Sequence, residues 1–460
     1  MAIDERGLPL TTVSDAAAAA YDVTVRRSLE YRADTADHMQ KVMDADPNFA
    51  MGHCLKGLLL TGFQSTRMRD AVGECVVAAE AASKNISWRE KANILALRAM
   101  YEGNRRKACD IWDDILVHHP TDLLALRHLT HAYFWSGRSF ELREAVARVV
   151  RDWDESVPGY GFVLGMYSFG LEESAEYGRA EEKGKRAVEL NRHDLWAVHA
   201  VTHVLEMQGR IEDGIAWLTE SGPDWVDRNP FKGHLWWHLA LYHLERGKFA
   251  RVFKLYDLAV RADHSDFYIE IQNASALLWR LEFLGVDVGD RWSELADTCE
   301  ARIGDMGLGF TTTHDMMALA MDGRFDAADR LLEALHDYAK SHDDYASVTM
   351  QSVTIPLCEA VLAYGKKDYG KARDILAARR HDIIFIGASH AQRDVFAQAL
   401  IESALRGDDL DLARALLSAR VEEKPHGRGS WLKYAGVLEQ SGNADAAAAA
   451  RVEADKYSVH

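Results

Sequence analysis

Two stretches carry the residue types best suited to chemistry. DLWAVHAVTHVLEMQGR sets His199 and His203 four residues apart with Glu206 three beyond, and HLWWHLALYHLERG sets His234 and His238 at the same spacing. Residues at i, i+4 and i+7 share a helix face, so His199, His203 and Glu206 form one polar stripe. Imidazoles at i and i+4 can grip one transition ion, completed by a histidine or carboxylate from the neighbouring helix. The expected metal ligands are His199, His203, Glu206 and His234, with His238 as the alternative to His234. The expected ion is a divalent one such as zinc. No glutamate follows the first histidine, so the HExxH pattern of zinc hydrolases is absent.

The same residues suit acid–base work without a metal. His203 would titrate near neutral pH, and Glu206 would orient it or accept a proton. Beyond the loop Gly387–His390, Arg393 would clamp a carboxylate or phosphate, Asp394 would orient the base, and the helix opening near Ala391 would add backbone donors. His203, Glu206, Arg393 and Asp394 are the catalytic set of that reading. Glu172 and Glu173 point about 100° apart on a helix, so capping or ion pairing is expected of them instead of one shared site. Of Trp236 and Trp237, the first is expected in the core and the second on the floor of a ligand pocket. His314 and Asp315 read as a first helical turn behind threonine caps. Nucleophile elbows, phosphate-binding glycine loops and basic–aromatic patches are absent.

Something must aim these side chains at one place. The chain repeats a helix–turn–helix unit of roughly 34 residues, the tetratricopeptide period. Its best copy runs from Arg89 to Asp122, with a turn at Gly103 and a stop at Pro120. Further turns are expected at Gly137, Gly209, Gly247, Gly285, Gly323, Lys367, Gly407 and Gly442, with a degenerate unit around Gly159 to Leu190, between the first two of these. One hairpin cannot bury its apolar face alone, whereas about ten stacked ones share a core. With Gly209 as a turn, Val198, Val201, Thr202 and Leu205 pack inward, and His199, His203 and Glu206 face the concave side. The same alignment sends Arg127, His131, His234 and Trp237 there, with His238 at its edge. Long segments before His234, Met316 and Phe396 are expected to fold over that groove. The expected organisation is a flexible end at residues 1–20 and one superhelical domain over 21–460.

The segments GMYSFGLEE, LWAVHAVTHVLEMQGR, HLWWHLALYHLERG and ASHAQRDVF resemble the tetratricopeptide repeat protein 38 family, from about Met51 to the last repeat. The resemblance implies an all-helical solenoid and no settled activity.

Composition sets the outer bounds. The chain has 460 residues, 48% of them apolar, only eight prolines and a net charge of −17. Such a charge speaks against nucleic acid and anionic membranes as partners. Cys54, Cys75, Cys109, Cys299 and Cys358 form no CxxC pairs and read as core thiols of a reducing compartment. With no leader pattern and no apolar run of spanning length, a cytoplasmic location is expected. The reading is an all-α solenoid whose loop-covered, His/Trp-rich concave groove binds a small molecule or extended peptide. Arg127, His131, His199, His203, Glu206, His234, Trp237, His238, His390 and Arg393 line it, and a homodimer is compatible with it. The alternative is a metal-dependent or acid–base hydrolase or lyase acting on a small polar substrate.

Overall fold

Alternating apolar faces and turn residues resolve into twelve antiparallel helical pairs, in a computed structural model that describes residues 2–457. The first pair is Asp15–Leu29 with Thr35–Ala45 and the last is Arg428–Gln440 with Ala444–Asp455. All the expected turn positions but one lie in the left-handed region, from Gly103 (φ +75°) to Gly442 (φ +78°), with Lys367 at +62°. At the exception, Asp408 takes that conformation (φ +59°) instead of Gly407. Ala175 (φ +59°) turns the unit between Gly137 and Gly209, joining Tyr160–Glu172 to Tyr177–Leu190.

The two helices of a pair have different jobs. The second is amphipathic: Phe325–Ser341 buries Ala327, Ala328, Leu331, Leu335 and Ala339, a stripe at helical spacing. The first is buried nearly all round, as in Tyr268–Phe283 and Gly309–Met321. A helix covered on every side needs more than its two sequence neighbours, and the coil itself supplies the rest. Asn229 N donates to Tyr31 O at 2.7 Å, Tyr31 stacks on Phe231 at 4.2 Å, and Ser65 Oγ donates to Asp305 Oδ2 at 2.7 Å. A Cβ on Gly137 would lie 1.9 Å from the Ile384 carbonyl oxygen, so only glycine fits there. These partners stand about one superhelical turn apart in sequence, 240 residues for Ser65 and Asp305. Successive turns of the solenoid therefore touch. The three long loops make these contacts at Asn229, Gly307 and Gly387, so they bridge turns.

One apolar cluster runs from Leu10 to Leu400, and the last pairs add small clusters of their own. The chain before residue 21 is tied down from Ala2, contrary to the expected flexible end. Ala2–Ile3 pairs with Pro9–Leu10, Arg89 Nη2 donates to Pro9 O at 2.6 Å, and Thr11 N donates to Glu90 Oε1 at 2.7 Å. The five cysteines are buried free thiols. One helical stretch among the described residues, Tyr345–Gly365, is long and apolar enough to cross a membrane, which the sequence reading did not expect. Its buried residues, among them Leu357, Cys358 and Val361, pack into the solenoid core.

Candidate functional site

Four histidines meet inside the coil. The helix Leu195–Met207 brings His199 and His203, and Phe231–Glu245 brings His234 and His238. None is more than 2% exposed. A ligand nitrogen from each lies within 4.8 Å of those of the other three. His199 Nε2 and His203 Nε2 are 2.9 Å apart. Phe169 stacks on His199 at 5.5 Å and Trp237 on His234 at 5.2 Å, so apolar rings wall the cluster.

Nδ1 of three of the rings faces an oxygen. His238 Nδ1–H donates to Glu206 Oε2 at 2.8 Å, and His234 Nδ1–H donates to Asn273 Oδ1 at 2.7 Å. His203 Nδ1 stands 3.4 Å from Glu172 Oε2. An acceptor on Nδ1 fixes the tautomer and turns Nε2 into the lone-pair donor, the arrangement that supports metal-bound histidines. His238 Nε2 is buried without a partner, and so is His199 Nδ1.

Electrostatics match. Burial holds His199 and His234 well below the ordinary histidine range, helped by the neighbouring imidazoles, and lowers His238 to about 4 despite Glu206. Burial opposes charge on Glu206 and Glu172 as well, yet the adjoining histidines hold both carboxyls down at about 2. Three imidazoles that burial keeps from taking up a proton, backed by carboxylates, are chemically ready for a cation.

The expected ligand set is thereby corrected. Glu206 is not in the cluster: it stands behind His238, and His238 takes its place beside His199, His203 and His234. Residue 206 lies on the stripe of His199, but the facing helix brings an imidazole in front of it.

Glu172 and Glu173 do converge, against expectation, because the helix Tyr160–Glu172 ends between them. His390 Nε2 is 2.5 Å from Glu172 Oε1, and the His390 backbone N–H donates to Glu173 Oε1 at 3.0 Å. Burial lowers the His390 pKa, but the two carboxylates outweigh it and raise it to about 9. His390 thus joins the centre through Glu172, from a helix one superhelical turn away.

Arg393 and Asp394 do not share a site. Arg393 donates to the Gly387 and Ala388 carbonyls and sits 3.7 Å from Glu173, which spends its donors on the loop. Asp394 points elsewhere, gripped by Arg420 at 2.6 and 3.1 Å. Arg127 and His131 stand in an adjoining aromatic layer, away from the four histidines. Arg127 donates to Tyr31 Oη at 2.7 Å and lies over Trp196, and His131 Nε2 accepts from Trp135 Nε1 at 3.0 Å. Of the two tryptophans, Trp237 is the more buried at 1% exposed, stacked on His234 against the cluster, while Trp236, expected in the core, is only half-buried against Trp225. His314 and Asp315 lie buried within Gly309–Met321, with His314 Nδ1–H donating to Phe310 O at 2.7 Å.

A cleft of about 920 Å³ adjoins the centre. Glu206 is shared by both, hydrogen-bonded to His238 on one side and lining the cleft on the other. Arg280 and Asp394 also line it. Sequence reading missed Asn273 and Arg280, which stand in no motif, and Trp196, which stands in the His199 segment but was not singled out.

No family model matches the chain. Solved structures similar to it include a human IFIT1 dimer with PPP-AAAA, 12% identical over 82% of this chain and 92% of that one, TM-score 0.33. Others are an IFIT1 monomeric mutant with Gppp-AAAA, at 11% over 96% of each chain and TM-score 0.37, and yeast Tom70, at 12% over 89% and 92% and TM-score 0.33. The architecture is a tetratricopeptide-type α-solenoid, and the likeness to the tetratricopeptide repeat protein 38 family narrows it no further. The exclusion of nucleic acid does not stand, since net charge averages over a surface on which one cleft can differ.

Proposed function

We propose that this protein is a metal-binding α-solenoid whose interior holds one transition ion of the zinc class on His199, His203, His234 and His238. The observation that carries the reading is the pairing of converging ring nitrogens with oxygen acceptors on Nδ1 of His234 and His238. Zinc–imidazole bonds are about 2.0–2.1 Å, which puts tetrahedral donors about 3.4 Å apart. Donors already within 4.8 Å of one another reach that geometry by small ring rotations. A shell of four imidazoles leaves no open position, so the ion serves to clamp two hairpins and complete the buried site. A hydrolase or lyase would need water or substrate in place of one imidazole.

The test is elemental analysis of the purified full chain, as isolated and after zinc loading and desalting. About one ion per chain is expected, falling severalfold in His199→Ala and His238→Ala variants that keep their helical circular dichroism. Wild-type protein that retains no metal after loading would end the proposal. So would variants that retain as much as the wild type.

A further inference from the structure

We propose that the cleft beside this centre binds a small organic anion bearing carboxylate or phosphate groups. The inference goes beyond the metal reading and needs no ion. The cleft lies where the Gly209 and Gly247 hairpins face the C-terminal helices, and its volume of about 920 Å³ suits a ligand of drug-like size. Leu244, Leu284 and Leu417 give it an apolar wall for a carbon skeleton.

Its charges point to the class of ligand. Most lining carboxylates already have cations: Asp394 has Arg420, Glu402 has Lys433, Glu212 has Arg246 and Asp213 has Arg210. Lys248, Arg280, Lys424 and Arg428 line the same cleft, and among the described residues none of them has a carboxylate within ion-pair distance. Against them, among the described residues, stand Glu206, turned toward His238, and Glu245. In a chain of net charge −17 this is a local surplus of free cations.

Arg280 is the strongest single sign. It is 3% exposed, and its guanidinium donates to the Ala276 and Ala391 carbonyls at 3.1 Å each while lying 5.4 Å over the Trp237 ring. Carbonyl dipoles and a ring face orient it; among the described residues no carboxylate forms an ion pair with it, and Asp394, Glu206 and Glu245 act on it only through space. A buried cation whose counter-charges stand off at a distance is costly, and an anion brought against it in the cleft lowers that cost. Arg428 adds a buried Nε with no partner. Lys424 is the free ammonium whose charge Glu206 and Asp394 feel.

The experiment is calorimetric titration of the full chain with citrate, pyrophosphate and glucose 6-phosphate, with glucose as the neutral control. At least one anion is expected to bind one per chain with Kd below about 1 mM, and glucose is not. Lys424→Ala and Arg428→Ala, both partly exposed, are each expected to weaken binding by about tenfold. Arg280→Met, checked by circular dichroism, is expected to abolish it. No binding by any of the three anions overturns the proposal. Binding indifferent to Lys424→Ala and Arg428→Ala, or confined to polyglutamate or an oligonucleotide, does so too. Chelator-treated protein separates the two readings: anion binding without metal supports this inference alone, and metal retention without anion binding supports only the other.

Discussion

Two glycines with nearly the same backbone angle offer a controlled test of the contact between turns. Gly137 and Gly247 have φ of +66° and +65°, so alanine at either incurs the same left-handed strain, about 1 kcal/mol. Their surroundings differ. A Cβ on Gly247 meets nothing within 4 Å, whereas on Gly137 it would stand 1.9 Å from Ile384 O and 2.7 Å from the carbonyl carbon. Backbone cannot yield as a side chain does, so one superhelical turn must shift by more than 1 Å. Overpacking of this kind costs about 1–3 kcal/mol beyond the strain. Gly137→Ala is therefore expected to cost about 2–4 kcal/mol and Gly247→Ala about 1 kcal/mol. Urea titration followed by circular dichroism reads the difference. Hydrogen exchange gives a second readout, because Ile384 lies just before the segment that carries His390 to Glu172. Amides of residues 384–391 should exchange faster in Gly137→Ala and be unchanged in Gly247→Ala. Equal midpoints and equal exchange would refute the claim that the turns are in contact.

Zinc at 100 times its Kd should stabilise the wild type by about 2.7 kcal/mol and leave His238→Ala unmoved, as thermal melts with and without the ion would show. Asp194 caps the site helix through Ala197 N at 3.1 Å, yet burial raises its pKa to about 7. The unfolded chain releases that proton from about pH 4 upward, so this carboxyl lowers stability progressively as pH rises toward 7. Asp194→Asn keeps the cap and should gain on the order of 4 kcal/mol at pH 7, and less at pH 4; loss of stability at pH 7 would contradict this. Asp394 has the opposite sign: burial works against its charge, but Arg420 and Lys424 hold its pKa well below the carboxylate range. Its contribution is present above the unfolded pKa and lost in acid. Arg420→Met should cost about 3 kcal/mol at pH 7, with much of it recovered in the Asp394→Asn double variant; a neutral single variant would count against the pair.

How much of this stood in the sequence depends on the range of each interaction. The hairpins were legible because a left-handed turn needs a residue such as Gly103 or Gly209, and those positions recur between apolar stripes. His199, His203 and His234 were legible because helical spacing alone puts them on the inner face. His238 and Glu206 exchanged roles because the rotation of one helix against its neighbour is set by packing. One residue of rotation, about 100°, also separates Trp236 from Trp237. Glu172, Asn273 and His390 were beyond reach as partners, since they arrive from other hairpins and, for His390, from the next superhelical turn. The paired glutamates were misread because a helix end frees two adjacent side chains to converge.

The abutting turns alter how this coil can come apart. An open array whose modules touch only their neighbours can fray from either end, losing units one by one. Here the segment near Ile384 braces Trp135 and Gly137, and Asp305 ties down Ser65. Deleting the last third of the chain would strip support from hairpins near its start, and a C-terminal stop codon should lower the melting point of helices hundreds of residues upstream. The molecule gives up the modular tolerance of a repeat protein and gains an interior sheltered enough to bury four imidazoles side by side.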